Sequence, residues 1–531
     1  MHIVYASDVS ETLMAERTRR TAAAVGLLAV GVWMFAPHGR TLQGRSAAEA
    51  GPWTGPVPKA ACGSRDRVET GLQGQTTLAE RMTGNSEKSY NCNLELVGQF
   101  RGEGASWQMA AFDTCAYYGT ANGAGQQRKG VVVIDASNPA RPVATTYLDS
   151  RPMWDPWESL KVNVPRKLLA AVQADRGNGV DPGFAVYDIS VCARPVLKAS
   201  VMLPSPVKGH AGNFAPDGLT YYGAQLGTSI YPIDLRNPSE PKLLQVWSGD
   251  ESQGRMGVAH DLALDEGGTT LYSAQPSLGL TAPSGRLQAL GGLGNGLVIT
   301  DVSGLKSRKG DAKPRIVGSL LWRDGSIAQS PQRIAIKGRP YILFTDEMGA
   351  GGLGGAKAAC AQDLPPFGFA RIIDIADPSK PTLVSQLKLE VDDPANCAAV
   401  TPDTSFSGTF GYSSHYCTVD NPAEARFAAC SYFEAGVRVF DIQEPTRPRE
   451  IAYYKPPAVV GSIPGSNHAS RPGEKRTTDW TSSNIRWLRR GSDTELWFTS
   501  QDNGFQIVRF TNSLASIGKS MVGRDPVRDL P

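Results

Sequence analysis

"IIDIADPSKP", residues 372–381, is a β-rich run that ends in an Asp and is followed by two prolines. The same layout recurs in "VVVIDASNPARP" (131–142), "FAVYDISVCARP" (184–195), "IYPIDLRNPSEP" (230–241) and "VRVFDIQEPTRP" (437–448). It also recurs, with a longer turn, in "LVITDVSGLKSRKGDAKP" (297–314). Val, Ile, Tyr and Phe suit a packed pleated surface. An Asp at a strand end accepts hydrogen bonds from turn N–H groups, and Pro presets φ for the turn. Each unit therefore reads as strand, turn, strand. Asp135, Asp188, Asp234, Asp301, Asp374 and Asp441 are then parts of turns and not catalysts.

Two more runs lie upstream of each unit. In "HDLALDEGGTTLYSAQ" (260–275) a Gly turn separates two strand-like segments, and "HAGNFAPDGLTYYGAQ" (210–225) repeats the layout. Such pairs read as hairpins, so each repeat holds four antiparallel strands, A to D. Repeats of this kind stacked radially specify a β-propeller. A seventh unit, "NIRWLRRGSDTELWFTSQDNGFQIVRF" (484–510), supplies strands A to C before the strand pattern stops. "LELVGQF" (94–100) is the expected fourth strand, so the two ends share one blade and no open sheet edge remains. The expected fold is all-β, a seven-bladed propeller over residues 93–511, with about 60 residues per blade against a common repeat of roughly 40–50. The excess falls in a few long loops.

"VVVIDASNP", "IIDIADPSKP" and "VRVFDIQEP" resemble the LVIVD repeat of exported bacterial propeller proteins, and the resemblance covers most of residues 94–510. It implies the fold and export, and it implies no particular activity.

Composition narrows the partners. The formal net charge is +3, and no Lys/Arg-rich block occurs, so nucleic acid is not an expected partner. All eight Cys follow residue 60 and none forms a CxxC pair, which points to disulfides in an oxidising compartment. Cys417–Cys430, on strands A and B of one blade, is the best-supported pair; Cys360–Cys397 would clip two loops, and Cys62–Cys92 with Cys115–Cys192 complete the set. At the N-terminus, "RTRR" (17–20) precedes 16 uncharged residues (21–36). That run is short against the roughly 20 residues of a spanning helix and suits a signal peptide. Residues 1–50 are read as a leader, either cleaved near Ala48-Glu49-Ala50 or kept as the only membrane anchor, with Met14 as an alternative start. Residues 51–92, polar and Gly-rich, read as an extended linker over the propeller surface, and 512–531 as a tail. The expected location is extracellular, periplasmic or at the cell envelope.

Aligning the hairpins places polar residues in one register. Glu158, His210, His260 and Gln332 lie 15 residues before Gln173, Gln225, Gln275 and Glu347, and Ser106 lies 15 before Ala121. His415 and Asn484 precede Tyr432 and Gln501 by 17. Ser106, Glu158, His210, His260, Gln332, His415 and Asn484 should ring the channel mouth at the start of strand A, with the second set at the end of strand B. His210, His260 and His415 with Glu158 suit zinc, copper or iron with one position open, and His468 in the loop before blade seven is a further candidate ligand. The competing readings are a polar ligand pocket and a structural ring whose Gln side chains bond a neighbouring blade's backbone. A propeller with a histidine-bound metal is also the architecture of the selenium-binding protein/methanethiol oxidase family, none of whose sequence motifs occurs here. No H-E-x-x-H motif occurs, and no G-x-S-x-G lies between a strand and a helix.

Long insertions at 276–295, 348–368, 391–412 and 455–482 fall mostly on the same face. The leading functional expectation is a binding scaffold that offers this face to a protein, peptide, glycan or small molecule. The alternative is a metal-dependent enzyme, for example an oxidoreductase, centred on the His cluster.

Overall fold

The computed structural model describes residues 51–121, 128–174, 183–204, 207–250, 256–281, 286–289, 294–308, 312–403, 409–460 and 477–515, with isolated positions 252, 463, 466 and 517. The unit Pro52–Pro531 is a seven-bladed β-propeller. Blades one to six span residues 109–148, 161–202, 211–243, 262–322, 326–387 and 414–455, each with four antiparallel strands in chain order. Blade seven joins Arg486–Arg490, Asp493–Ser500 and Gly504–Phe510 to Leu94–Phe100. Leu94 pairs with Phe510 and Phe100 with Phe505, so the two ends of the propeller close one sheet.

Burial explains the repeat. The third strands, such as Val131–Asp135 and Gly183–Asp188, are buried on both faces except at the final Asp, because they lie between neighbouring blades. That position calls for an unbroken apolar run. The fourth strands, such as Val143–Leu148, are mostly exposed and mix polar with apolar residues. Each motif Asp accepts the N–H two residues on: Asp135 from Ser137 (2.8 Å), Asp188 from Ser190 (2.8 Å), Asp234 from Arg236 (3.0 Å), Asp301 from Ser303 (2.9 Å), Asp374 from Ala376 (2.8 Å) and Asp441 from Gln443 (3.1 Å). These are Asx turns.

Residues 52–92 form a strap packed on the propeller. Trp53 and Pro56 bridge to the fourth strand of blade five and the residue after it, and Tyr90–Cys92 adds a fifth strand to blade six. The polarity that suggested a linker is used in buried pairs. Glu69 meets Arg438 at 2.6 Å and Lys455 at 3.6 Å, and Arg81 meets Glu434 at 3.3 Å. All eight Cys are paired, as Cys62–Cys92, Cys115–Cys192, Cys360–Cys397 and Cys417–Cys430. Among the described residues no helix is long and apolar enough to cross a membrane. The N-terminal segment 1–50, His468 and the tail beyond residue 517 lie outside the described residues.

Candidate metal centre

The first strands of all seven blades line an axial cavity of about 310 Å³, with Lys161, Asp261, Ser330, Gln332 and Asn484 among its walls. Side chains at or just before the starts of several of these strands gather in one cluster.

Glu158 is the hub. Its N–H donates to the carbonyl of His210 at 3.2 Å, which ties the start of blade two to blade three. Trp157, just before it, holds φ +48°, a left-handed conformation that costs an aromatic residue of order 1–3 kcal/mol. Ile327 has φ +45°, beside a bulge between Ala328 and Ser330 that displaces Gln329 from the ladder. Gln329 Nε2 donates to Glu158 Oε2 at 3.0 Å.

Three imidazoles face that carboxylate. His260 Nε2 lies 3.2 Å and His210 Nε2 3.5 Å from Glu158 Oε2, and the two Nε2 atoms are 2.6 Å apart. His415 Nε2 lies 3.3 Å from Glu158 Oε1 and 3.3 Å from Glu347 Oε2. His260, His415, Glu158 and Glu347 are buried, and His210 is the most exposed of the five, with 17% of its side chain open.

The far nitrogens fix the tautomers. His260 Nδ1 is 3.2 Å from the carbonyl of Ala328, at the start of blade five. His415 Nδ1 contacts the carbonyl of Ser482, just before blade seven. A carbonyl only accepts, so each Nδ1 carries the proton and each neutral ring turns an Nε2 lone pair toward the carboxylates. A carboxylate is acceptor-only as well. Lone pairs then face lone pairs at His415, whose Nε2 is buried without a hydrogen-bond partner.

Such an arrangement calls for a cation, which is either protons or a metal. In the metal-free protein protons serve. Burial alone would lower His415, but Glu158 and Glu347 outweigh it and push the imidazole up to about 9. His260 is raised too, with Glu158 outweighing its burial. Burial would raise Glu158, yet His260 and His210 hold it well below the usual carboxylate range.

An aromatic wall closes over the cluster. Trp107 and Phe433 stand 5.6 and 5.0 Å from the His415 ring, and Trp157 stands 5.7 Å from His210. Phe410 and Trp480, from the long loops 391–412 and 455–482, pack on Trp107 at 5.9 and 6.3 Å.

Of the residues expected from spacing, Glu158, His210, His260 and His415 come together, and in blade one the Ser106 N–H donates to the carbonyl of Gly119 at 2.7 Å. Gln332 and Asn484 instead stand deeper, on the cavity wall. Blade five turns on Lys337 and Gly338 alone, so its hairpin is longer and Gln332 faces Leu343, leaving Gln329 to reach Glu158. In blade seven Ser482 takes the place assigned to Asn484, accepting from Gln501 Nε2 at 3.0 Å. Gln501 Nε2 also reaches the carbonyl of Ser106 in blade one at 3.3 Å, a bond between neighbouring blades. Glu347 joins the cluster although it was not among the expected ligands; its signal was a carboxylate where four other blades carry Gln.

A protein-family model described as the LVIVD repeat matches residues 125–148 and 371–388. No curated protein matches the chain.

Proposed function

This chain is an LVIVD-repeat β-propeller, and we propose that it is a metal-dependent enzyme whose centre lies at the mouth of the propeller channel. The propeller supports a binding scaffold in general terms, and the side chains at its axis make the reading specific. One observation carries it: the buried imidazoles of His260 and His415, with Nδ1 on backbone carbonyls, aim Nε2 at buried carboxylates, and His415 Nε2 has no hydrogen-bond partner. A metal-ligating His typically gives its other N–H to such an acceptor, which sets the tautomer and raises its basicity.

His210, His260 and Glu158 would hold the ion, with His415 and Glu347 adjoining. Imidazole and carboxylate donors suit zinc, copper or iron. A bound ion would supply Lewis-acid or redox chemistry to a ligand that enters on the His210 side, where the cluster meets solvent. Glu158 and Glu347 together neutralise one divalent ion. The other residues keep the site dry and in place: the aromatic wall excludes water, and the Ala328 and Ser482 carbonyls hold the rings. A structural role for metal is weakly motivated, since seven blades and four disulfides already hold the fold. The paired cysteines support export to an oxidising compartment.

The test is elemental analysis of the full chain purified from an oxidising compartment. Stoichiometric metal that disappears in a folded His210→Ala/His260→Ala variant is expected. A wild-type protein that stays metal-free after exposure to zinc, copper and iron would sink the proposal. Phe410 and Trp480, closing in from the long loops, support a second reading: a metal-free binding face for a peptide, glycan or small molecule.

A further inference from the structure

We infer that the centre is built for two metal ions bridged by Glu158, an inference that rests on the metal reading above. The donors fall into two triads, each with its ligand atoms within 4.8 Å of one another. One is Glu158, His210 and His260; the other is Glu158, Glu347 and His415. Glu158 alone belongs to both, and it divides its oxygens between them. Oε2 faces His210 and His260, whereas Oε1 faces His415.

A single ion does not satisfy this layout. Bonds of about 2.0–2.1 Å gather the donors of one ion around one point. An ion on His210, His260 and Oε2 leaves Oε1, Glu347 and His415 on the other side of the carboxylate, still lone pair against lone pair. His415 points independently to a second ion. Its Nε2 is fully buried, lacks a hydrogen-bond partner, and stands 3.3 Å from each of two carboxylate oxygens. Its Nδ1 is already committed to the Ser482 carbonyl.

The two positions differ in hardness. Two imidazoles and one carboxylate oxygen favour zinc or copper at the outer position, beside His210. One imidazole and two carboxylates favour a harder ion, such as manganese or ferrous iron, at the inner one. Two divalent ions against Glu158 and Glu347 leave an excess of two positive charges. That excess calls for an anionic oxygen ligand: hydroxide, or a carboxylate or phosphoryl oxygen of the substrate. A carboxylate-bridged pair holds its ions about 3.5–4 Å apart, a spacing that clamps both oxygens of a displacement at carbon or phosphorus.

The experiment uses chelator-treated full-length protein, titrated with Zn2+ and counted by mass spectrometry of the elements after gel filtration. Two zinc ions per chain are expected, falling to one in Glu347→Gln. Loading with Mn2+ should give the electron paramagnetic resonance spectrum of an exchange-coupled pair, which needs no variant and so stands even if Glu347→Gln misfolds. One ion per chain in the wild type, with an uncoupled Mn2+ spectrum, overturns the pair and leaves the single-metal reading intact. No bound metal overturns both.

Discussion

Glu158→Gln probes the hub with almost no change in shape. In the metal-bound protein the substitution removes the ligand common to both triads. Outer-shell partners of metal ligands are already worth about 10–100-fold in affinity, so the loss of a shared direct ligand should weaken binding by at least about 100-fold. In the metal-free protein the same change removes one of two carboxylates that stand 3.3 Å from His415 Nε2. Together they lift that imidazole from 6.5 to about 9 against its burial, which is about 3 kcal/mol at about 1.4 kcal/mol per pH unit. Glu158 is one of the two, so His415 should titrate lower in the variant. Competition with a chromophoric chelator reads the first effect, and imidazole nitrogen resonances followed against pH read the second. A folded Glu158→Gln protein that binds metal within threefold of wild type, or in which His415 titrates unchanged, would refute the reasoning.

The pH dependence of the metal-free protein has a definite sign. His415 has a folded value above its unfolded one, so its contribution is fully present below about pH 6.5 and is lost as pH rises through about 9. The melting temperature of metal-free protein should fall across that window, while metal affinity rises by up to about tenfold per pH unit as the proton leaves; calorimetry and chelator competition check the two trends. Among the disulfides, Cys115–Cys192 closes a separation of 77 residues and Cys417–Cys430 one of 13. Replacing each pair with Ala should cost about 4–5 and about 3 kcal/mol respectively, a ranking that denaturant unfolding reads. Asp374→Ala removes the acceptor for the Ala376 N–H and should cost about 1 kcal/mol in the same assay. It should leave metal content unchanged, because the motif Asp residues shape turns.

The blades were legible because their chemistry is local. A buried apolar strand, an Asx turn and a Pro are written in consecutive residues, and the closing strand at Leu94–Phe100 lacked any partner nearby in sequence. The ring was legible where hairpin turns have equal length, as for Glu158, His210 and His260. It failed where turn length changes, because spacing along the chain then stops tracking position along the axis. Lys337 and Gly338 hold φ +50° and +73°, a tight turn that lengthens the blade-five hairpin and carries Gln332 down the channel. The bulge that aims Gln329 at Glu158 has no sequence signature of its own. The role of Glu347 was readable as a lone carboxylate in a column of Gln. The strap resisted reading because it has no periodicity; Gln73, Thr76 and Arg81 are polar yet buried, and bond Glu450, Thr478 and Glu434, far away in the chain.

The most direct measurement is anomalous diffraction from crystals of metal-loaded protein, recorded on either side of the absorption edge of the added ion. The account predicts anomalous density within bonding distance of His210 Nε2 and His260 Nε2, and again at His415 Nε2, with Glu158 spanning the two positions. Loaded crystals with no such density there, and with the imidazoles still paired to Glu158 and Glu347, would contradict it.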